Sequence, residues 1–164
     1  MKKIDLLINE YGESHQNKIN KLIHWLCVPA IFFSIVVLVW SIPLGPLNNL
    51  KISGFQYINW STLIMLVVLI YYINLSPILT IGMILFSSAC LFLTNYLENL
   101  INDGLIKLPL WSIGLIIFII AWIIQFVGHE IEGKKPSFLK DIQFLLIGPA
   151  WLMHFIYKKL NIKY

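Results

Sequence analysis

The hydrophobic residues of this chain lie in long unbroken runs, and the polar residues are collected in the stretches between them. Four runs predict helices that cross a membrane: residues 22–41, 55–75, 77–97 and 110–127. At 1.5 Å per residue, helices of this length rise by about the ~30 Å thickness of a bilayer's hydrocarbon core. Only Ser76 separates the second run from the third, which predicts a tight helical hairpin, and Pro29 predicts a kink in the first helix.

The two ends of the chain follow a different pattern. Residues 1–21 are polar and begin with apolar residues at helical spacing. A fifth apolar run, 142–157, is shorter than the others, and we expect Gly148 and Pro149 to break it. The whole pattern predicts an all-α integral membrane helical bundle in a single membrane domain, 1–164. It would have about four spanning helices plus a shorter re-entrant or interfacial C-terminal segment.

The composition supports a membrane protein and argues against nucleic acid as a partner. Of the residues, 59% are hydrophobic and 12% are charged, with a mean hydropathy of +0.80, whereas soluble domains carry about 25% charged residues. Every basic residue is a lysine, and nucleic-acid recognition relies heavily on arginine. Cys27 and Cys90 are isolated in apolar runs, so we expect buried thiols and no disulfide framework.

The lysines predict an orientation in the membrane. We place the N-terminus in the cytoplasm, let four helices cross, and keep the last run from crossing. The cytoplasmic side then carries Lys2, Lys3, Lys18, Lys21, Lys134, Lys135, Lys140, Lys158, Lys159 and Lys163. The far side carries Lys51 and Lys107. The same arrangement brings all four histidines to the cytoplasmic side: His15, His24, His129 and His154.

Four histidines on one side of a membrane can supply a metal site, because neutral imidazole binds iron, zinc, copper and nickel. His15 and His24 are nine residues apart and would face opposite sides of one straight helix. They can therefore share a metal only if the chain bends between them. Asn17 or Asn20 could hold such a bend or cap the start of the following helix.

A second group of polar residues lies at the end of the fourth run. Gln125 and His129 are four residues apart on one helix face, and Glu132 shares that face if the helix persists. Gln125 could hydrogen-bond a ligand or substrate, and Glu132 could bind a metal or support one of its ligands. Gly133 and Pro136 are expected to end the helix.

Other classes of membrane protein remain open from these residues. A structural or scaffolding protein would use its histidines as interfacial anchors and would bind no metal. A haem-binding electron-transfer protein would use two histidines from different helices as axial ligands. A di-iron hydroxylase or desaturase usually carries more histidines than the four of this chain.

Two stretches resemble the signatures of a known family. Residues 11–29, YGESHQNKINKLIHWLCVP, are similar to the pattern Y-x3-H-x-N-x2-N-x3-H-x4-P. Residues 122–151 are similar to W-x2-QF-x-GH followed by a glutamate, a basic pair, a proline and then GP. Both resemble the small membrane 2-hydroxy fatty acid dioxygenases, which are related to the fungal enzyme of phytosphingosine breakdown. The stretch between His129 and Pro136 is one residue shorter than in the fungal members.

The resemblance implies an Fe(II)-dependent enzyme that uses O2 to convert a 2-hydroxy fatty acid to the acid one carbon shorter, with release of CO2. This is the fatty acid α-oxidation step, and in a bacterium it would take place at the inner membrane. His15, His24 and His129 would bind the metal, with His154 or Glu132 completing the site. Gln125 and Glu132 would be catalytic, and the acyl chain would lie between helices with its acidic head at the cytoplasmic interface.

Overall fold

A computed structural model describes residues 2–50, 56–135 and 143–164. Within these ranges the chain forms six α-helices and one short 3-10 helix. They are α1 (Lys3–Glu13), α2 (Lys18–Trp40), the 3-10 helix (Gly45–Leu50), α3 (Trp60–Leu75), α4 (Pro77–Asn102), α5 (Leu110–Glu132) and α6 (Phe144–Lys159). Lys51, Pro136 and Lys140, which entered the predictions, lie outside the described ranges, as do the first residues of the predicted runs 55–75 and 142–157.

The predicted class, an all-α helical membrane bundle, is confirmed. Helices α2, α4 and α5 are long and apolar enough to cross a membrane, and α3 is a shorter apolar helix of 16 residues. Many large apolar side chains point outward, such as Leu22 at 71% and Leu85 at 69% exposure. In water such a surface would be unfavourable, but in a bilayer it faces lipid.

Short polar side chains cap the first turns of α2, α3 and α4. The Asn17 side chain accepts a hydrogen bond from the backbone N–H of Ile19 and caps α2. The sequence offered two candidates for this cap, Asn17 and Asn20, and in the structure the cap is Asn17. Ser76 ends α3 and caps α4, and Pro77 occupies the first turn of α4. The predicted hairpin around Ser76 is therefore present.

Two glycines bring α5 against α2. A Cβ atom on Gly114 would lie 2.9 Å from Cγ1 of Val37, and one on Gly128 would lie 2.5 Å from Oδ1 of Asn20. Because the later glycine meets the earlier part of α2, the two helices run antiparallel. This close packing places the C-terminal end of α5 beside the start of α2.

Helix α6 lies against α1 and the neighbouring ends of α3 and α4. The Tyr72 hydroxyl donates to the carbonyl oxygen of Leu146, and the Tyr157 hydroxyl accepts from the backbone N–H of Gly82. The expected break at Gly148 and Pro149 is wrong, since α6 continues through both residues. Pro149 removes only one helical hydrogen bond, and the contacts around α6 hold the helix together.

Candidate metal centre

His15 lies in the turn that joins α1 to α2. Its ring Nδ1 is 2.6 Å from the carbonyl oxygen of Tyr11, and its backbone N–H donates to the carbonyl of Gly12. A carbonyl oxygen only accepts hydrogen bonds, so Nδ1 carries the proton and Nε2 keeps its lone pair. The Tyr11 ring stacks on the imidazole with centroids 4.2 Å apart and planes 12° apart. Helix α1 therefore fixes both the position and the tautomer of His15.

His24 is oriented in the same way by α2. Its Nδ1 lies 2.9 Å from the carbonyl oxygen of Asn20, one helical turn earlier. This carbonyl again requires the proton on Nδ1 and leaves the lone pair on Nε2. The turn before α2 is the bend that the nine-residue separation of His15 and His24 required. It brings the two ring centroids to 4.2 Å from each other.

His129, near the end of α5, completes a buried group of three imidazoles. Its ring centroid lies 5.0 Å from that of His15 and 4.8 Å from that of His24. One potential ligand nitrogen from each ring lies within 4.8 Å of the other two, so the group could hold a metal ion. The three side chains are 0–5% exposed. Helices α2 and α5 and the α1–α2 turn thus converge on one point.

The unsatisfied nitrogens of this group fit a bound metal. Within the described part of the chain, Nε2 of His15, Nε2 of His24 and Nδ1 of His129 are buried and have no hydrogen-bond partner. A buried polar atom without a partner costs about 1–3 kcal/mol. Three such atoms on imidazoles this close together would be unfavourable in a purely structural core, whereas one bound ion would satisfy all three.

The protonation state of His15 also suits a ligand. Burial lowers the pKa of its imidazole to about 4, because the charged form loses its hydration. The ring is therefore neutral at neutral pH, which is the form that binds metal ions.

An apolar cavity of about 470 Å³ opens beside the histidines. His15, Gln125 and His129 line its polar end, and the rest of its wall is mainly aliphatic. This volume is within the usual range of about 300–1,000 Å³ for small-molecule sites. The site therefore combines a possible metal position with room for an apolar ligand.

A comparison with known families decides the relationship. A family model described as "2-hydroxy-palmitic acid dioxygenase Mpo1-like" matches residues 1–160. The chain belongs to this family. Its sequence is 30% identical over 151 residues to the 2-hydroxy-palmitic acid dioxygenase MPO1 of Saccharomyces cerevisiae, covering 90% of this chain and 76% of the yeast protein. No solved structure matches the chain.

Membership of the Mpo1-like family confirms the resemblance found in the two signatures. It supports an enzyme of the fatty acid dioxygenase type. The histidines of both signatures are the three that the structure brings together. The first signature supplies His15 and His24, and the second supplies His129.

In this Mpo1-like protein Glu132 holds the histidine-bearing turn in place. Its carboxylate accepts hydrogen bonds from the backbone N–H groups of Gln16 and Asn17, both at 2.8 Å, and from Nδ2 of Asn20 at 3.0 Å. Asn20 Nδ2 also donates to the carbonyl of Ser14 at 3.1 Å. These hydrogen bonds tie the end of α5 to Gln16 and Asn17, the two residues that follow His15.

The other two predicted site residues have different surroundings. Gln125 is 7% exposed and lines the cavity one helical turn before His129. His154 on α6 stays outside the group of three, and its Nδ1 is hydrogen-bonded to the Tyr164 hydroxyl. The sequence predictions gave Tyr11 no role. Its spacing of four residues from His15 was the signal that could have identified it as a partner of that histidine.

Proposed function

We propose that this protein is an Fe(II)-dependent dioxygenase that converts 2-hydroxy fatty acids to fatty acids one carbon shorter. The 2-hydroxy acid and O2 would give the shortened acid, CO2 and water, so that O2 accepts all the electrons that the substrate loses. The bond between C1 and C2 breaks, and C2 becomes the new carboxyl carbon. The observation that carries the proposal is the group of three unsatisfied imidazole nitrogens at the polar end of an apolar cavity.

His15, His24 and His129 would hold the iron. When bound, Fe(II) would supply the reaction with O2 that no protein side chain performs alone. The backbone carbonyls of Tyr11 and Asn20 keep His15 and His24 in the tautomer whose Nε2 is free to bind. Three protein ligands leave coordination positions for other molecules, as in non-haem iron oxygenases.

Gln125 would orient the head of the substrate. Its amide lies on the same face of α5 as His129, and both line the cavity. An amide can donate to the carboxylate and accept from the 2-hydroxyl group. The acyl chain would extend into the aliphatic part of the cavity, which excludes water from the reacting carbons.

A metal and activity assay tests the proposal. The protein is purified in detergent without O2, supplied with Fe(II), and compared with His129→Ala and with His154→Ala. We expect near-stoichiometric iron in the wild type and in His154→Ala, and iron loss in His129→Ala. With O2 and a 2-hydroxy fatty acid, the two iron-loaded proteins should release CO2 and the shortened acid.

The outcomes separate the remaining classes. A protein that binds no metal and tolerates His129→Ala would be structural, and the proposal would be wrong. A strong visible haem absorbance would favour electron transfer. Iron binding without conversion of any 2-hydroxy acid would keep the metal site and contradict the dioxygenase reaction.

A further inference from the structure

The cavity continues from the histidines along the membrane-spanning part of α2. Its wall on α2 is one apolar stripe at helical spacing, formed by Val28, Ile31, Phe32, Ile35, Val36 and Val39. The opposite wall comes from α3 and includes Ser61, Ile64 and Met65. The cavity therefore runs lengthwise between two helices, away from the polar site.

A hydrogen bond between the helices marks its far end. The buried Ser61 hydroxyl donates to the carbonyl oxygen of Val36 at 3.0 Å. Val39 is the last cavity residue along α2, and Ser61 and Ile64 are the first along α3. Because Ser61 joins the helices at this level, a linear ligand meets side chains there.

The length of the cavity can be estimated along α2. The His24 ring centroid lies 4.2 Å from that of His15 and 4.8 Å from that of His129, the two histidines at the polar end, and Val39 follows His24 fifteen residues later. This separation is a rise of about 22 Å at 1.5 Å per residue. Successive carbons of an extended hydrocarbon advance by about 1.25 Å, given a C–C bond of about 1.5 Å. About 16 to 18 carbons therefore span the distance.

We propose that this cavity measures the acyl chain and that Val39 and Ile64 set its upper limit at about 18 carbons. The inference rests on the proposed function, because it assumes that the head of a 2-hydroxy acid lies at the histidines. Each methylene group missing from a shorter chain lowers affinity by about fourfold. Each carbon beyond the limit lowers kcat/KM by about tenfold or more, because the wall must move.

The first test is the chain-length profile of the iron-loaded wild type, with 2-hydroxy acids of about 12 to about 24 carbons. We expect kcat/KM to rise to about 16–18 carbons and then to fall steeply. Activity that does not fall beyond this length would contradict the proposed limit on chain length without contradicting the dioxygenase function. Activity on no chain length would overturn the dioxygenase function itself.

Variants at the far end provide the second test. Val39 is half-buried and Ile64 is 50% exposed, so both positions can accept a larger side chain. Val39→Phe and Ile64→Phe should each move the optimum to acids shorter by about 2–4 carbons, with the largest loss of kcat/KM for the longest acids. The control is Val67→Phe, since Val67 is 67% exposed on α3 and lies outside the cavity wall.

Iron content separates misfolding from a change of specificity. A variant that keeps its iron but has the profile of the wild type contradicts the assignment of the far end. If one variant loses its iron, the other variant still tests the assignment of the far end. The chain-length profile of the wild type does not depend on either variant. An equal shift in Val67→Phe would also contradict the assignment, because Val67 is not part of the cavity wall.

Discussion

At the scale of single residues, the geometry of the site depends on one carboxylate. Both oxygens of Glu132 accept hydrogen bonds from the chain around His15, through Gln16, Asn17 and Asn20. We therefore infer that Glu132 acts through His15 as a positioning residue. Residues that support metal ligands in this way typically contribute about 10–100-fold to metal affinity.

Replacing Glu132 by glutamine should weaken iron binding. The amide nitrogen of Glu132→Gln would face a backbone N–H donor, so at least one hydrogen bond is lost and the turn loosens. We expect the dissociation constant for Fe(II), measured by titration of the apo-protein, to rise about 10–100-fold. Glu130→Gln is the matched control, because Glu130 is exposed. Unchanged iron affinity together with lost turnover would instead indicate a directly catalytic Glu132.

Individual site residues were predictable from sequence where local spacing determines them. The signatures located His15, His24 and His129, and the nine-residue separation required the bend that is found between α1 and α2. The position of His154 depends on how α6 packs on distant parts of the chain, which spacing cannot reveal. The hydrogen bonds of Glu132 depend on a contact between chain segments more than a hundred residues apart.

At the scale of secondary-structure elements, the antiparallel pair α2 and α5 builds the site. Gly128 allows the end of α5 to approach Asn20, the residue that links Ser14 to Glu132. A methyl group at this position would need the space that Oδ1 of Asn20 occupies. The spacing of the two helices is therefore coupled to the geometry of the histidines.

The variant Gly128→Ala should lower both thermal stability and iron affinity. The added Cβ would lie 2.5 Å from Oδ1 of Asn20, so α5 or the side chain must shift. Overpacking of this kind costs about 1–3 kcal/mol. Gly12→Ala is the control, since its Cβ would meet Nε1 of Trp151 at an ordinary 3.6 Å. Equal effects on melting temperature and iron content in both variants would contradict the coupling.

The sequence predicted that these elements are helices, but it did not predict the residues at which they end. Hydrophobic runs locate the part of a helix that lies in lipid, but helices continue into water beyond it. Helix α4 reaches Asn102 and α5 reaches Glu132, both past the predicted runs 77–97 and 110–127. The added turn of α5 carries His129 and Glu132, two residues of the proposed iron site.

At the scale of the whole molecule, the three histidines lie at one end of the bundle, which the lysine distribution predicts to be cytoplasmic. The exposed Glu10 lies on the same side as the histidines in that arrangement, and the exposed Asp103 lies on the opposite side. In intact bacterial cells, a membrane-impermeant maleimide should label Asp103→Cys but not Glu10→Cys. Cys27 and Cys90 are buried, so the wild type supplies the background. The reverse labelling would place the site outside the cytoplasm.

The partly exposed wall of the cavity has a kinetic consequence. Ile35 lines the cavity and is 39% exposed, on a helix that is long and apolar enough to cross a membrane. A substrate that enters there comes from the bilayer. The rate of turnover then depends on the two-dimensional density of substrate in the membrane. In vesicles, adding lipid at constant total substrate should slow turnover. Diluting the whole suspension at a fixed mole fraction should leave turnover per enzyme unchanged, whereas uptake from water would make the rate follow bulk concentration.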